Sequence, residues 1–96
     1  MLLDNINKQK HLINELAKQC GASRVRIFGS VARREETEDS DVDVLVELPC
    51  GYDLIRQRMK LTQLFEELLG RKVDLIPEHE LNHHIKDKVI REAVSL

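Results

Sequence analysis

Asp41 follows Gly29 by twelve positions in a segment that opens Gly29-Ser30-Val31-Ala32-Arg33-Arg34 and closes Ser40-Asp41-Val42-Asp43, and these residue types at this spacing suit chemistry at phosphorus. The hydrophobic run Val25-Arg26-Ile27-Phe28 leads into the Gly-Ser pair. A second run, Val42-Asp43-Val44-Leu45-Val46, opens with two carboxylates in alternation. Strand side chains alternate faces, so Asp41 and Asp43 share one face and Val42, Val44 and Val46 the other. A Gly-Ser turn leaving a strand and entering a helix offers an anion backbone N–H groups and a hydroxyl, and glycine allows close approach. Two carboxylates beside such a turn can hold divalent ions next to a phosphate chain. Asp74, inside Lys72-Val73-Asp74-Leu75-Ile76, would complete three carboxylates around two metals if its strand adjoins the first pair, which is what in-line displacement at phosphorus requires.

Each feature also has a plain structural reading. Gly29-Ser30 alone is an ordinary turn and N-cap, Asp-x-Asp is commonly a solvated strand edge, and Asp74 alone is a surface-facing strand residue. Asp43 is the least ordinary, because a charge inside a Val/Leu run is costly without a cationic partner, and a metal ion is a natural one. Arg33 is a candidate supporting charge for the phosphates. Arg34 either adds a second contact or joins Arg33, Glu35, Glu36, Glu38 and Asp39 in a solvated, mutually paired charge run.

The elements that must position these residues follow from periodicity. Ile6, Ile13, Leu16, Ala17 and Cys20 predict a helix over 5–20, ended by Gly21. Strands are expected over 23–28, 41–48 and 72–76, with a short helix over 30–34, a polar loop over 35–40 and a turn at Pro49-Cys50-Gly51. A long amphipathic helix over 54–69 carries Ile55, Leu61, Leu64, Phe65, Leu68 and Leu69 on its apolar face and closes at Gly70. The last helix is expected from Glu80 or Leu81 to Val94, burying Leu81, Ile85, Val89, Ile90 and Val94. The order α-β-α-β-α-β-α describes one small α/β (α+β) domain over residues 1–96, a short mixed sheet of about three strands flanked by helices.

Composition bounds the function. The 96 residues carry 15 Lys+Arg against 17 Asp+Glu, with no basic stripe, and aromatics make up only 3%. General nucleic-acid binding needs such a stripe and stacking platforms, so action on a long nucleic acid is not expected. Met1-Leu2-Leu3 is too short for a signal core, no run reaches the roughly 18 apolar residues of a membrane span, and Cys20 and Cys50 read as reduced thiols. A soluble cytoplasmic protein is the expectation.

Jointly these motifs resemble the nucleotidyltransferase superfamily that includes DNA polymerase β and kanamycin nucleotidyltransferase, and within it the minimal (MNT-type) nucleotidyltransferases. Gly29-Ser30, Asp41-Val42-Asp43 and Val73-Asp74-Leu75-Ile76 match that signature in order, and Ile90-Arg91-Glu92-Ala93-Val94 is similar to the end of such proteins. One departure is Arg34, where many members have glycine after Ala-Arg. The resemblance implies transfer of AMP from ATP to a hydroxyl, with two Mg²⁺ ions held by Asp41, Asp43 and Asp74, and the β- and γ-phosphates held by Gly29 and Ser30 with Arg33 in support. Larger relatives carry an extra domain for the acceptor, so a minimal enzyme is expected to borrow part of that site. The resemblance implies the lender: a HEPN-domain toxin, adenylylated on a tyrosine, for which the chain serves as antitoxin. Self-association stays open, as do two other classes: an antitoxin acting by binding alone, and an enzyme modifying a small molecule such as an aminoglycoside.

His79-Glu80-Leu81-Asn82-His83 matches the His-Glu-x-x-His pattern of zinc proteases, with His84 beside it. That pattern needs both histidines on one helix face plus a third ligand. Here it follows Pro77 at the start of a helix, and the thirteen residues after His83 are too few for a substrate cleft, so the motif is set aside.

Overall fold

A computed structural model describes residues 2–96 of the chain. Two helices, α1 (Leu2–Lys8) and α2 (Lys10–Gln19), replace the single predicted helix, because Gln9 leaves helical geometry and its N–H bonds the carbonyl of Ile6 three residues back. Strand β1 (Ser23–Phe28) runs into a one-turn helix α3 (Gly29–Ala32), and β2 (Val42–Glu47) follows the polar loop. A π-helical turn (Leu54–Met59) then leads into α4 (Lys60–Leu69), which Gly70 closes in the left-handed conformation. Strand β3 (Val73–Pro77), a 3₁₀ turn (Glu78–Glu80) and α5 (His83–Glu92) lead to a last short strand, β4 (Val94–Ser95).

The sheet has four strands in the order β3-β2-β1-β4. β1 is antiparallel to both β2 and β4, and β2 is parallel to β3, with the π-turn and α4 making the crossover that parallel pairing requires. On one face Val25, Ile27, Val42, Val44, Val46, Val73 and Leu75 pack against Ile6, Ile13, Ala17, Leu61 and Phe65 of the helices. On the other, α5 lays Val89 over Phe28 and Leu45.

Three expectations are corrected. The last helix stops at Glu92 and Val94 enters the sheet opposite Ile27, so the sheet has a fourth strand beyond the three expected. Of the apolar residues assigned to that helix, Val89 is buried and Leu81 and Val94 are half-buried, whereas Ile85 and Ile90 are exposed, because only one narrow stripe of α5 meets the sheet. Ile55 is 71% exposed rather than part of the core face. The π-turn causes this by turning Gln57 inward to the Cys20 carbonyl and Arg58 to the Leu75 carbonyl, leaving Leu54, Ile55 and Met59 to solvent. Of the two readings open for Arg34, the structure shows a solvated ion pair, made with Asp4 of α1 through two bonds of 2.9 and 3.0 Å.

A buried ion pair ties the far end of the sheet to its covering segment. Arg26 is 4% exposed and donates to Glu78 at 3.0 Å. The guanidinium beside it holds the Glu78 carboxyl below the usual carboxylate range. Among the described residues no helix is long and apolar enough to cross a membrane. Neither cysteine is bonded: Cys20 is buried and Cys50 exposed.

Candidate active site

Register alone brings two of the three acids together. Asp43 is the pairing partner of Asp74 across the parallel β2–β3 ladder, and Phe28, the last residue of β1, is the partner of Asp43 on its other side. Register partners project to the same face of a sheet, and neighbouring strands lie about 4.8 Å apart, so the two carboxylates stand side by side. Asp41 sits one residue ahead of β2 and is exposed. Its loop is fixed by Arg71, which donates to the carbonyls of Thr37 and Ser40 at 2.9 and 3.0 Å. Beyond the acids, on the same face, Leu45 is closed over by α5.

Gly29 begins α3 immediately after Phe28, with φ +72°. A Cβ placed on it would lie 2.1 Å from Asp43 Oδ2. The glycine therefore serves its own backbone geometry and the neighbouring carboxylate together, a requirement beyond the phosphate approach read from sequence. Ser30 follows, half-buried, and the first N–H groups of α3 have no carbonyl a turn back to bond.

The three acids are coupled electrostatically. Burial pushes the Asp43 carboxyl above its ordinary range, the charges of Asp74 and then Asp41 push it further, and Arg33 pulls it back. Burial is the larger cause, and the part contributed by two neighbouring carboxylates is relieved equally by a cation, for which oxygen donors of this kind suit a hard divalent ion. That donor set fits the metal ions the sequence implies. Among the described residues no three His, Cys, Asp or Glu side chains are already gathered at metal-binding spacing, so the acids form an open facing set rather than a closed ligand sphere.

Arg33 reaches the site's edge from the turn after α3. Its Nε donates to Glu35 and its Nη1 to both oxygens of Glu92, each at 3.2 Å. These carboxylates raise its affinity for its proton. Glu92 was not singled out from sequence as a functional residue, because its nearness to Arg33 depends on the strand pairing that the periodicity did not reveal. Arg34, held by Asp4, points back to α1 and does not figure among the charges felt by Asp43.

Asp74 also belongs to a second feature. A groove of about 660 Å³ runs between the π-turn with α4 and strand β3, lined by Leu54, Ile55, Met59, Gln63, Leu75 and Asp74 itself. The edge of β3 along it is capped: Glu66 accepts from the Val73 N–H at 3.0 Å and Arg58 donates to the Leu75 carbonyl at 3.1 Å.

The histidine motif is dispersed by the backbone. His79 lies in the 3₁₀ turn, Leu81 and Asn82 are extended, and His83 opens α5, so the two do not share a helix face.

A nucleotidyltransferase domain model matches residues 7–96. The chain belongs to the nucleotidyltransferase domain family. This nucleotidyltransferase is 39% identical over 80 residues to the protein adenylyltransferase MntA of Thermococcus cleftensis, covering 83% of this chain and 80% of the relative. It superposes on a solved candidate minimal nucleotidyltransferase with TM-score 0.86 and 40% identity, covering 100% of this chain and 97% of the other. A solved toxin–antitoxin with AMP-PNP shares the fold, at TM-score 0.70 and 22% identity over 84% of this chain and 66% of the other. The expected family, fold class and enzyme class are borne out, and the four-stranded mixed sheet is that of a minimal nucleotidyltransferase. Nucleotidyltransferases of this kind use divalent metal ions.

Proposed function

We propose that this nucleotidyltransferase moves AMP from ATP to a tyrosine hydroxyl of a HEPN-domain toxin and so serves as that toxin's antitoxin. The observation that carries the reading is the pairing of Asp43 with Asp74, with Gly29 pressed against the Asp43 carboxylate. The relative named MntA is a protein adenylyltransferase, and the solved toxin–antitoxin was captured with AMP-PNP, an ATP analogue. Both support a nucleotide donor and a protein partner.

In this reading Asp41 and Asp43 hold two Mg²⁺ ions, with Asp74 as the ligand nearest the acceptor. When bound, the ions supply charge neutralisation on the phosphates. Gly29 and Ser30 receive the β- and γ-phosphates, and Arg33 adds positive charge at their edge. The acceptor oxygen forms a bond to the α-phosphorus while the bond to the bridging oxygen breaks. Pyrophosphate leaves, and the hydroxyl proton passes by way of Asp74 to solvent. The apolar groove ending at Asp74 is the acceptor's approach. Positioning and charge carry such a reaction, so no histidine or cysteine nucleophile takes part.

Incubation with α-labelled ATP and Mg²⁺, with and without the product of the adjacent gene, tests the proposal. Label on a tyrosine of that partner, lost in Asp43→Ala, is expected. Partner binding with no label would reassign the chain as an antitoxin acting by binding alone, and label on an aminoglycoside in place of protein would reassign the acceptor.

A further inference from the structure

Glu92 closes the last helix, and the strand after it dictates where that carboxylate goes. β4 pairs antiparallel with β1, Ile27 opposite Val94 and Arg26 opposite Ser95. Continuing this register one residue places Ala93 beside Phe28, and one more brings Glu92 beside Gly29. The C-terminal strand and the phosphate-facing turn thus hang from the same strand, and Glu92 meets Arg33 with both oxygens at 3.2 Å. The Glu92 side chain is 21% exposed, against 67% for Glu35, the other partner of Arg33.

We propose that Glu92 is a positioning residue for nucleotide binding: pinned by β4, it fixes the Arg33 guanidinium so that its remaining amino group faces the phosphates. This rests on the phosphate role assigned to Arg33 above. Glu35 takes Nε and Glu92 takes Nη1, while Nη2 makes no hydrogen bond to any described residue. Two of the three nitrogens of a planar group are held, so the third is aimed without a search through the rotamers of a long side chain. An arginine free to wander would have to be ordered by each arriving triphosphate. Glu92 thereby influences the polyphosphate through Arg33 rather than by touching it.

The test is titration calorimetry of the full chain with ATP and with AMP in Mg²⁺, since AMP lacks the phosphates that Arg33 would meet. Arg33→Ala is expected to weaken ATP about tenfold and leave AMP unchanged, on the scale of one lost charge-assisted hydrogen bond. Glu92→Ala should weaken ATP by about three- to tenfold with AMP and the melting temperature unchanged, and add nothing in the Arg33→Ala background. Glu92→Gln, which keeps the shape and one acceptor oxygen, should fall between Glu92→Ala and wild type. A Glu92→Ala protein that binds ATP like wild type or more tightly, that loses ATP and AMP equally, or whose loss adds in full to that of Arg33→Ala would overturn the positioning role. If Arg33→Ala itself shows no ATP-selective loss, it is the phosphate role of Arg33 that fails, and the proposal falls with it.

Discussion

Gly29→Ala tests the closest contact in the site. The new Cβ would stand 2.1 Å from Asp43 Oδ2, 3.0 Å from its Cγ and 3.3 Å from its Cβ, at a backbone φ of +72°. Asp43 lies within β2, paired on both sides, so its backbone cannot retreat and only its side chain can turn. A left-handed alanine costs about 1–2 kcal/mol. Forcing a packed neighbour from its rotamer costs about 1–3 kcal/mol more. For a domain of this size each kcal/mol lowers the melting temperature by about 4–8 °C, so the variant should melt on the order of 15 °C below wild type.

The two costs separate in a double-mutant cycle followed by thermal unfolding. In an Asp43→Ala background the carboxylate is gone and the backbone cost remains beside only the 3.3 Å contact with the Cβ, so Gly29→Ala should lower melting by about 5–10 °C. Equal losses in both backgrounds would refute the contact and leave Gly29 required for its backbone angle alone. Transfer should be absent in Gly29→Ala even where it folds, because the carboxylate it displaces is the one paired with Asp74.

Asp43→Asn should melt above wild type at neutral pH without metal, since the folded state raises this acid's pKa and the charge is therefore destabilising there. That advantage should shrink as pH falls through the raised pKa and vanish below the ordinary carboxylate value, and Mg²⁺ with ATP should stabilise wild type but not the variant. Glu78→Gln should behave oppositely: the Arg26 pair lowers the Glu78 pKa, so the stability it adds is present above the ordinary carboxylate range, and the variant's deficit in thermal melts should close as pH falls through the lowered value. Arg34→Gly should keep ATP affinity and a near-wild-type melting point, because relief at a residue with φ +59° offsets loss of the exposed pair with Asp4, whose carboxyl that pair holds at about 2. Ile55→Asp should leave ATP affinity intact while reducing capture and labelling of the protein acceptor in a pull-down, and unchanged capture would remove the groove from the acceptor's path.

What the sequence made legible depended on how local each signal is. Asp41-Val42-Asp43 and Val73-Asp74-Leu75 carry their faces in their own alternation, and the buried Val42, Val44, Val73 and Leu75 show that this reading of the strands was sound. The exact Asp43–Asp74 pairing is a tertiary register, which two short strands with similar alternation leave open. Val94-Ser95-Leu96 offers three alternating residues directly after a helical pattern, too few to announce a strand, so neither β4 nor the meeting of Glu92 with Arg33 is legible there. Ile55 departs from the expected apolar face because the α-helical period does not extend across Leu54–Met59, where the backbone takes a π-turn. There Gln57 and Arg58 are satisfied inside, an arrangement that hydrophobic spacing does not encode.

That inversion of polarity, together with the capped edge of β3, narrows what the proposed acceptor must look like. Strand addition along the groove would need the outward backbone groups of β3. Glu66 already takes the Val73 N–H, Arg58 already takes the Leu75 carbonyl, and Pro77 has no N–H to give. An incoming chain therefore finds apolar side chains at Leu54, Ile55 and Met59 and a ladder interrupted at Val73, Leu75 and Pro77. A partner suited to this surface packs side chain against side chain, as a helix does in a groove, and reaches the acids with a single projecting residue. The hydroxyl that arrives beside Asp74 must stand well away from its own backbone. Tyrosine meets that condition with a rigid ring and two torsions, whereas serine and threonine would need their main chain drawn down to the sheet. On this reading, replacing the acceptor tyrosine with serine should abolish labelling even while the complex still forms.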